Sequence, residues 1–225
     1  MNVRALTALV ALATISAACP SFSSPTSAPA PQAPAPAEME RMITARTSLR
    51  GALDDHPLIR PWMIARFDGT TLGYRVLWDP KDPESGQTAE HVPRHSSAGG
   101  NSILRVADRY SGVDQLGLAC FELLNMDSTD KHDELWSLAR RGRIGRDDFA
   151  RKMTRMEHQA VVRFQNFSRE YGLKPAASDV FLQRFLDTPA DFDEFLAWSA
   201  RLRVAEGSTY DPIVYWAQMY DTRRE

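Results

Sequence analysis

The stretch Ser111-Gly-Val-Asp-Gln-Leu-Gly-Leu-Ala-Cys-Phe-Glu-Leu-Leu-Asn125 decides the fold. Its apolar residues recur at three- and four-residue steps and cover most of its surface, which predicts a helix buried nearly all round. Ser111 and Asp114 have the spacing of a capping box at its start. Glu122 and Asn125 lie one turn apart on the same face. Because a buried carboxylate is costly unless it is paired or protonated, Glu122 is the main candidate for a functional residue.

The chain before this helix is predicted to form one helix and a small sheet. We expect an amphipathic helix over 38–53 and strands over 62–67, 72–78 and 102–107. Asp68-Gly69 lies between the first two strands and is a strong hairpin signal. A loop rich in proline, serine, glycine and charge fills residues 79–100.

The chain after the central helix is predicted to be helical. We expect helices over 133–141, 146–171, 179–186, 190–204 and 212–220. The longest of these has a core-facing apolar stripe, which consists of Phe149, Met153, Met156, Ala160, Phe164, Phe167 and Tyr171. The fold class is therefore α+β, with a small β-sheet in the first half and a mostly helical second half, in one domain over 38–225.

The N-terminus predicts export. Residues 1–18 combine a short positive start, an apolar run and small residues, which is typical of a signal peptide. Ala17-Ala18-Cys19 resembles the lipobox of bacterial lipoproteins, although Ser16 stands where that motif usually has leucine. Lipidation of Cys19 is therefore expected. The alternative is ordinary cleavage after Ala18, which would leave a plain thiol.

A linker rich in proline, alanine and serine follows over 19–37, and its composition favours an extended tether. We therefore expect a protein of the bacterial cell envelope, anchored to the membrane through lipid, or else periplasmic or secreted. The formal net charge is −2, and no basic stripe stands out, which argues against a nucleic-acid partner. Cys120 is expected to be a buried, unpaired small residue rather than half of a disulfide.

A strand that leads into a buried glutamate-bearing helix, with a second long helix behind it, is the layout of zincin metallopeptidases. Their motif is His-Glu-x-x-His, in which two histidines bind zinc and the glutamate activates water. Phe121-Glu-Leu-Leu-Asn125 aligns with it, and Glu157-His158 lies about where a third ligand could come from. Together with Gly99-Gly100, the Ile103–Val106 strand and Arg146-Asp-Asp-Phe149, these motifs resemble the zincin-like metallopeptidase domains of uncharacterised bacterial proteins and lipoproteins. The resemblance covers residues 96–171.

The resemblance implies a zincin-like fold with Glu122 as catalytic base and Asn125, Glu157 and His158 as its neighbours. Both zinc-binding histidines of the motif are missing, so no metal ligand is assigned, and zinc is expected only if the domain is an enzyme. Two functions stay open. We favour a degenerate domain that acts as a binding or surface module for a protein or peptide. The alternative is a divergent metal-dependent hydrolase that uses Glu122 as general base.

Each polar candidate also has a structural interpretation. Glu122 could be hydrogen-bonded to Asn125, to a loop backbone or to an arginine, and Glu157-His158 could be a half-solvated helix face. The other histidines are expected outside any site: His91 and His95 in a polar loop because of Pro93, His132 in a solvated connection, and His56 at a helix end.

Overall fold

The computed structural model describes residues 36–83, 88–94, 97, 100–110, 112–174, 176, 180–207 and 211–224. Several predictions concern residues outside these ranges: the signal peptide, Cys19, almost all of the linker, His95, Gly99 and Ser111. Within the described ranges the fold is α+β, as predicted, with a small sheet in the first half and helices throughout the second half.

The helices, in chain order, are α1 (Pro36–Ala45), α2 (Thr47–Asp55), α3 (Ile59–Phe67), α4 (Gly112–Asn125), α5 (Thr129–Arg140), α6 (Arg146–Tyr171), α7 (Val180–Asp187), α8 (Phe192–Glu206) and α9 (Pro212–Arg224). A short 3-10 turn, Met126–Ser128, joins α4 to α5. The strands are β1 (Val76–Trp78), β2 (Ala89–Val92) and β3 (Ser102–Val106).

The sheet has the order β1-β3-β2. β1 runs parallel to β3, with Val76 opposite Ser102, and β2 runs antiparallel to it, with Glu90 opposite Arg105. β2 lies inside the segment predicted as a loop, so that prediction is wrong at residues 89–92. Pairing with β3 supplies the backbone hydrogen bonds that such a short polar segment does not signal by itself.

The predicted strand over 62–67 is wrong, because these residues belong to α3. Ile59, Met63 and Phe67 recur every four residues and are fully buried, which is a helical stripe. Asp68-Gly69 therefore ends a helix instead of turning a hairpin, with Gly69 in the left-handed region at φ 83°. The second predicted strand shortens to the three residues of β1.

The predicted helix over 38–53 is two helices that meet at Arg46. The Arg46 guanidinium is buried and donates to the Val106 carbonyl at 3.1 Å and to the Asp108 carboxylate. This contact attaches the junction of α1 and α2 to the end of β3. A long-range contact of this kind has no signature in the local sequence.

The helices of the second half lie close to their predicted places. α6 has the predicted bounds, and Gly172 ends it at φ 66°. Its stripe is buried from Phe149 to Phe167, whereas Tyr171 is half-buried. α5 starts four residues earlier than predicted, which places His132 inside a helix.

Two apolar clusters meet along α6. The first surrounds α4 and takes in the inner faces of α1, α2, α3, the sheet and α7. The second is aromatic and joins α5, α6 and α9 through Trp136, Phe149, Trp216 and Tyr220. α6 supplies Phe164 to the first cluster and Phe149 to the second. The boundary between the clusters is where the polar candidates come together.

Candidate functional site

α4 is buried over almost its entire length, as predicted, from Asp114 to Leu124. Near its start, Asp114 accepts a hydrogen bond through Oδ1 from the backbone N–H of Ala176 at 2.8 Å. The predicted capping box of Asp114 with Ser111 lies outside the described residues. The far end of the helix is held by Arg66, which donates to the Leu123 carbonyl at 2.7 Å and to both carboxylate oxygens of Asp127. The helix carrying Glu122 is thus fixed at both ends by contacts distant in sequence.

Glu122 is 2% exposed, in the middle of this apolar environment. Burial raises its pKa to about 8, the nearby Glu90 carboxylate adds to the shift, and a hydrogen bond from the Asn125 side chain opposes it. The other carboxyl oxygen, Oε2, has no hydrogen-bond partner among the described residues. The side chain therefore favours its neutral, protonated form at neutral pH.

Glu157, on α6, is close enough to Glu122 for the two carboxyls to interact. The pKa of Glu157 is raised to about 8, mainly by burial and in part by the Glu122 carboxyl, while the Trp216 indole acts to lower it. Its Oε1 has no hydrogen-bond partner within the described part of the chain. Two neighbouring carboxyls of this kind resist ionising together, so they hold protons at a pH where exposed glutamates have none.

A small cavity lies beside Glu157 and Asn125, with a volume of about 20 Å³. Its polar lining comes from one strand, three helices and the 3-10 turn, and comprises His91, Asn125, Ser128, Thr129, His132 and Glu157. A cavity of roughly 10–15 Å³ is enough for one water molecule. The space therefore suits a single water between a carboxyl, an amide and two imidazoles, and it is far too small for a peptide.

His158 points away from this cavity, although it is adjacent to Glu157 in sequence. Its Nε2 is 2.7 Å from the Pro189 carbonyl oxygen, and its ring stacks on Phe195 at 4.7 Å between centroids. At 4% exposure it is not on a half-solvated face, so that interpretation is wrong for His158. The structure separates His158 from Glu122 and Asn125.

His91 and His132 are the cavity residues that the sequence analysis placed elsewhere. His91 lies on β2 at 4% exposure, and His132 lies on α5 at 7% exposure. The expectations of a polar loop and a solvated connection are therefore wrong. A signal was present for His132, since it continues the buried stripe Leu135, Trp136 and Ala139 at helical spacing. His56 ends α2 as predicted, with its N–H on the Leu53 carbonyl.

The nearby arginines are engaged by other groups. Arg105 donates to Glu90 at 3.1 Å and to Asp79 at 2.9 Å. Arg66 is held by Leu123 and Asp127, and its guanidinium also lies 4.6 Å from the centre of the Trp62 ring. Burial is thus the main influence on the pKa of Glu122, and the Asn125 side chain is the hydrogen-bonding group that opposes it, in line with the structural interpretation.

A zinc ion, which the zincin resemblance implies, does not fit this arrangement. Phe121 occupies the position of the first histidine and packs against Phe185 at 4.5 Å and Phe164 at 5.9 Å between ring centroids. Within the described ranges, no three histidine, cysteine or acidic side chains are grouped closely enough to hold a metal ion. The structure instead has two neighbouring carboxyls with raised pKa values, which can donate hydrogen bonds in their neutral form.

The described helices include none that combines the length and the apolar character needed to cross a membrane. No family model, curated protein or solved structure matches this chain.

Proposed function

We propose that the protein is an exported bacterial envelope protein, anchored by a lipid on Cys19, whose domain is a zincin-like scaffold without peptidase activity. The domain serves as a binding or surface module at the membrane, with a protein or peptide as its partner. The signal peptide, the lipobox-like junction and the extended linker support the location.

The observation that supports a scaffold without peptidase activity is the packing of Phe121. Its side chain is 2% exposed and lies between Phe164 and Phe185, so the position of a metal ligand has become part of the apolar core. Asn125, at the second histidine position, is used in a hydrogen bond to Glu122. The adjoining cavity of about 20 Å³ leaves no space for a peptide bond.

Metal content together with one substitution tests this proposal. We expect purified protein to hold far less than one equivalent of zinc, and Glu122→Gln to have the same hydrolytic background as the wild type. Glu134→Gln, on the exposed face of α5, is the matched control.

The alternative function, a divergent metal-dependent hydrolase with Glu122 as general base, has one observation in its favour. Glu122 and Glu157 interact and have raised pKa values, and Glu157 lines a cavity together with His91 and His132; active sites concentrate such groups. Stoichiometric zinc, with a hydrolytic activity that Glu122→Gln abolishes and Glu134→Gln preserves, would establish this function and reject ours.

The predicted anchor has its own measurement. Intact mass of the protein from a membrane fraction should show a chain that begins at Cys19 and carries acyl mass on that residue. Cys19→Ser should release the protein from the membrane fraction. A wild-type chain with an unmodified Cys19 would contradict the anchor.

A further inference from the structure

The turn between α5 and α6 carries three arginines within four residues, Arg140, Arg141 and Arg143, and all three are exposed. None of them forms a hydrogen bond or an ion pair through its side chain within the described part of the chain. Arg146, which follows on α6, differs because it pairs with Asp221 at 2.8 Å and with Asp147 at 3.6 Å. The three arginines, here called the arginine turn, are therefore free to bind an external group.

The backbone of the arginine turn is held in place by hydrogen bonds. The backbone N–H of Arg141 donates to the Ser137 carbonyl at 3.2 Å, and the backbone N–H of Arg143 donates to the Leu138 carbonyl at 2.9 Å. Gly142 makes the reversal at φ 64°, and the Tyr220 hydroxyl donates to the Ile144 carbonyl at 2.9 Å. Because the backbone is already ordered, less conformational entropy is lost when the arginines bind a partner.

The positive charge of the arginine turn is local. The acids nearest in sequence are Asp147, which Arg146 engages, and Asp148, which is exposed. The whole chain has a formal net charge of −2, so attraction to an anion has to come from this surface rather than from the total charge. Stabilisation of the C-terminus of α5 accounts for Arg140, but Arg141 and Arg143 follow the end of that helix.

Guanidinium groups match phosphate oxygens in geometry and charge. An anionic bilayer offers many phosphates in one plane, which suits three cations on a fixed turn. A linker of the composition found before α1 would span roughly 50 Å when extended, more than the width of a domain with a radius of gyration near 16 Å. An anchored domain could therefore bring any of its faces to the membrane.

We propose that the arginine turn is a membrane-contact surface that binds the phosphate headgroups of anionic lipids. This inference relies on the proposed function for the location of the protein. The contact would orient the tethered domain, with α5 and α6 directed at the bilayer and the opposite side left available to a partner.

Vesicle co-sedimentation tests the surface. The mature chain from Cys19 onward, produced as Cys19→Ser so that it carries no lipid, is mixed with vesicles of phosphatidylglycerol and phosphatidylethanolamine or of phosphatidylcholine. We expect binding to the anionic vesicles only, weakened by salt. Replacing Arg140, Arg141 and Arg143 with glutamine should reduce the apparent affinity by about tenfold or more.

A second triple variant controls for net charge. Arg50, Lys174 and Arg201 are also exposed and without side-chain partners in the described structure. Replacing them with glutamine changes the net charge by the same amount as replacing the arginine turn. We expect this variant to lose less than about threefold in affinity. Equal losses in the two variants, or no binding to anionic vesicles, would overturn the proposal.

The vesicle-binding result can be interpreted independently of the test of the Cys19 lipid anchor. The protein in this assay has no acyl chain, so vesicle binding does not depend on what happens to Cys19 in the cell. Absence of acyl mass on Cys19 would remove the anchor and leave the vesicle result standing. Thermal melts of both triple variants show whether they are folded.

Discussion

At the scale of single residues, Glu122 shows how burial changes an ordinary carboxyl group. Water stabilises an ionised glutamate, and α4 allows almost none to reach Oε2, so the neutral form is favoured and the pKa rises to about 8. The Asn125 hydrogen bond opposes the shift but does not reverse it. A neutral carboxylic acid is tolerable in this core, whereas an unpaired carboxylate would be costly.

Glu122→Ala should destabilise the protein more than Glu122→Gln. The alanine leaves the Asn125 amide without its acceptor and opens a void, at about 1–3 kcal/mol. The glutamine keeps the shape and an acceptor for Asn125, so we expect a loss below about 1 kcal/mol. Urea unfolding at pH 6, where Glu122 is neutral in the native state, measures both. Equal free energies of unfolding for wild type and alanine variant would show that Glu122 is not the polar anchor of α4.

At the scale of elements, the position of α4 depends on a close approach between helices. Gly112 begins α4 directly against α2, and a Cβ built there would lie 2.1 Å from the backbone oxygen of Ser48. Gly117, one and a half turns later, faces a flexible neighbour, since its nearest contact would be a terminal carbon of Leu182 at 3.0 Å. The first contact is with rigid backbone and the second is with a side chain that can move.

Gly112→Ala should therefore cost more than Gly117→Ala. We expect a loss of about 2 kcal/mol or more at Gly112, because two helices must separate, and a smaller loss at Gly117. Gly51→Ala in α2 is the control. It meets nothing within 4 Å and should stabilise the protein by up to about 1 kcal/mol through helix propensity. Chemical denaturation of the three variants gives the order, and a tolerated Gly112→Ala would contradict the close packing of α2 on α4.

Cys120 reports on the burial of the same helix. Its thiol is fully buried and unpaired, as predicted, and burial raises its pKa well above the usual range. Since the thiolate is the reactive form, labelling by a thiol reagent should be slow in native protein and rapid in denaturant. In the Cys19→Ser protein Cys120 is the only cysteine, so all labelling reports on Cys120. Fast labelling without denaturant would mean that α4 is exposed by local opening.

At the scale of the whole molecule, the Glu122–Glu157 pair links stability to pH. Both pKa values are raised from about 4.5 in the unfolded chain to about 8 in the native state. Between these values the native state binds more protons than the unfolded state, so the free energy of unfolding falls as pH rises. The stabilisation is complete below about pH 4.5 and is lost as pH passes through about 8.

Melting temperatures across pH 5–9 test this linkage. The free energy of unfolding of the wild type should fall by a few kcal/mol at most over the range. That is on the order expected for two coupled acids, of which Glu122 is buried and Glu157 is half-buried. Glu122→Gln with Glu157→Gln should flatten the curve, because neither residue can then ionise. Acids with lowered pKa values, such as Asp79 and Asp191, act at lower pH and do not enter this window. An unchanged slope in the double variant would refute the assignment.

Local pattern alone located the long helices. α4 and α6 were predicted closely because their apolar residues repeat at helical spacing over many turns, and burial of that stripe is the main source of helix stability. The same pattern was misread in α3, where Trp62, Ile64 and Phe67 suggested a strand. A stretch of nine residues is short enough for both periodicities to fit, and packing against α1 and α4 decides between them.

The sequence by itself determined the α+β class, the buried central helix and the candidate Glu122, because hydrophobic periodicity is a local property of the chain, readable without its tertiary contacts. Only the tertiary structure decided which groups meet beside its partners Asn125 and Glu157. His91, His132 and Glu157 come from a strand and two helices and meet at one cavity. His158 is the next residue after Glu157 on α6, so it lies on a different face of the helix and contacts the Pro189 carbonyl instead. The residues of this cavity come together because helices and strands distant in sequence pack at particular angles and are held by contacts such as that of Arg66 with the Leu123 carbonyl. The local sequence does not encode those contacts.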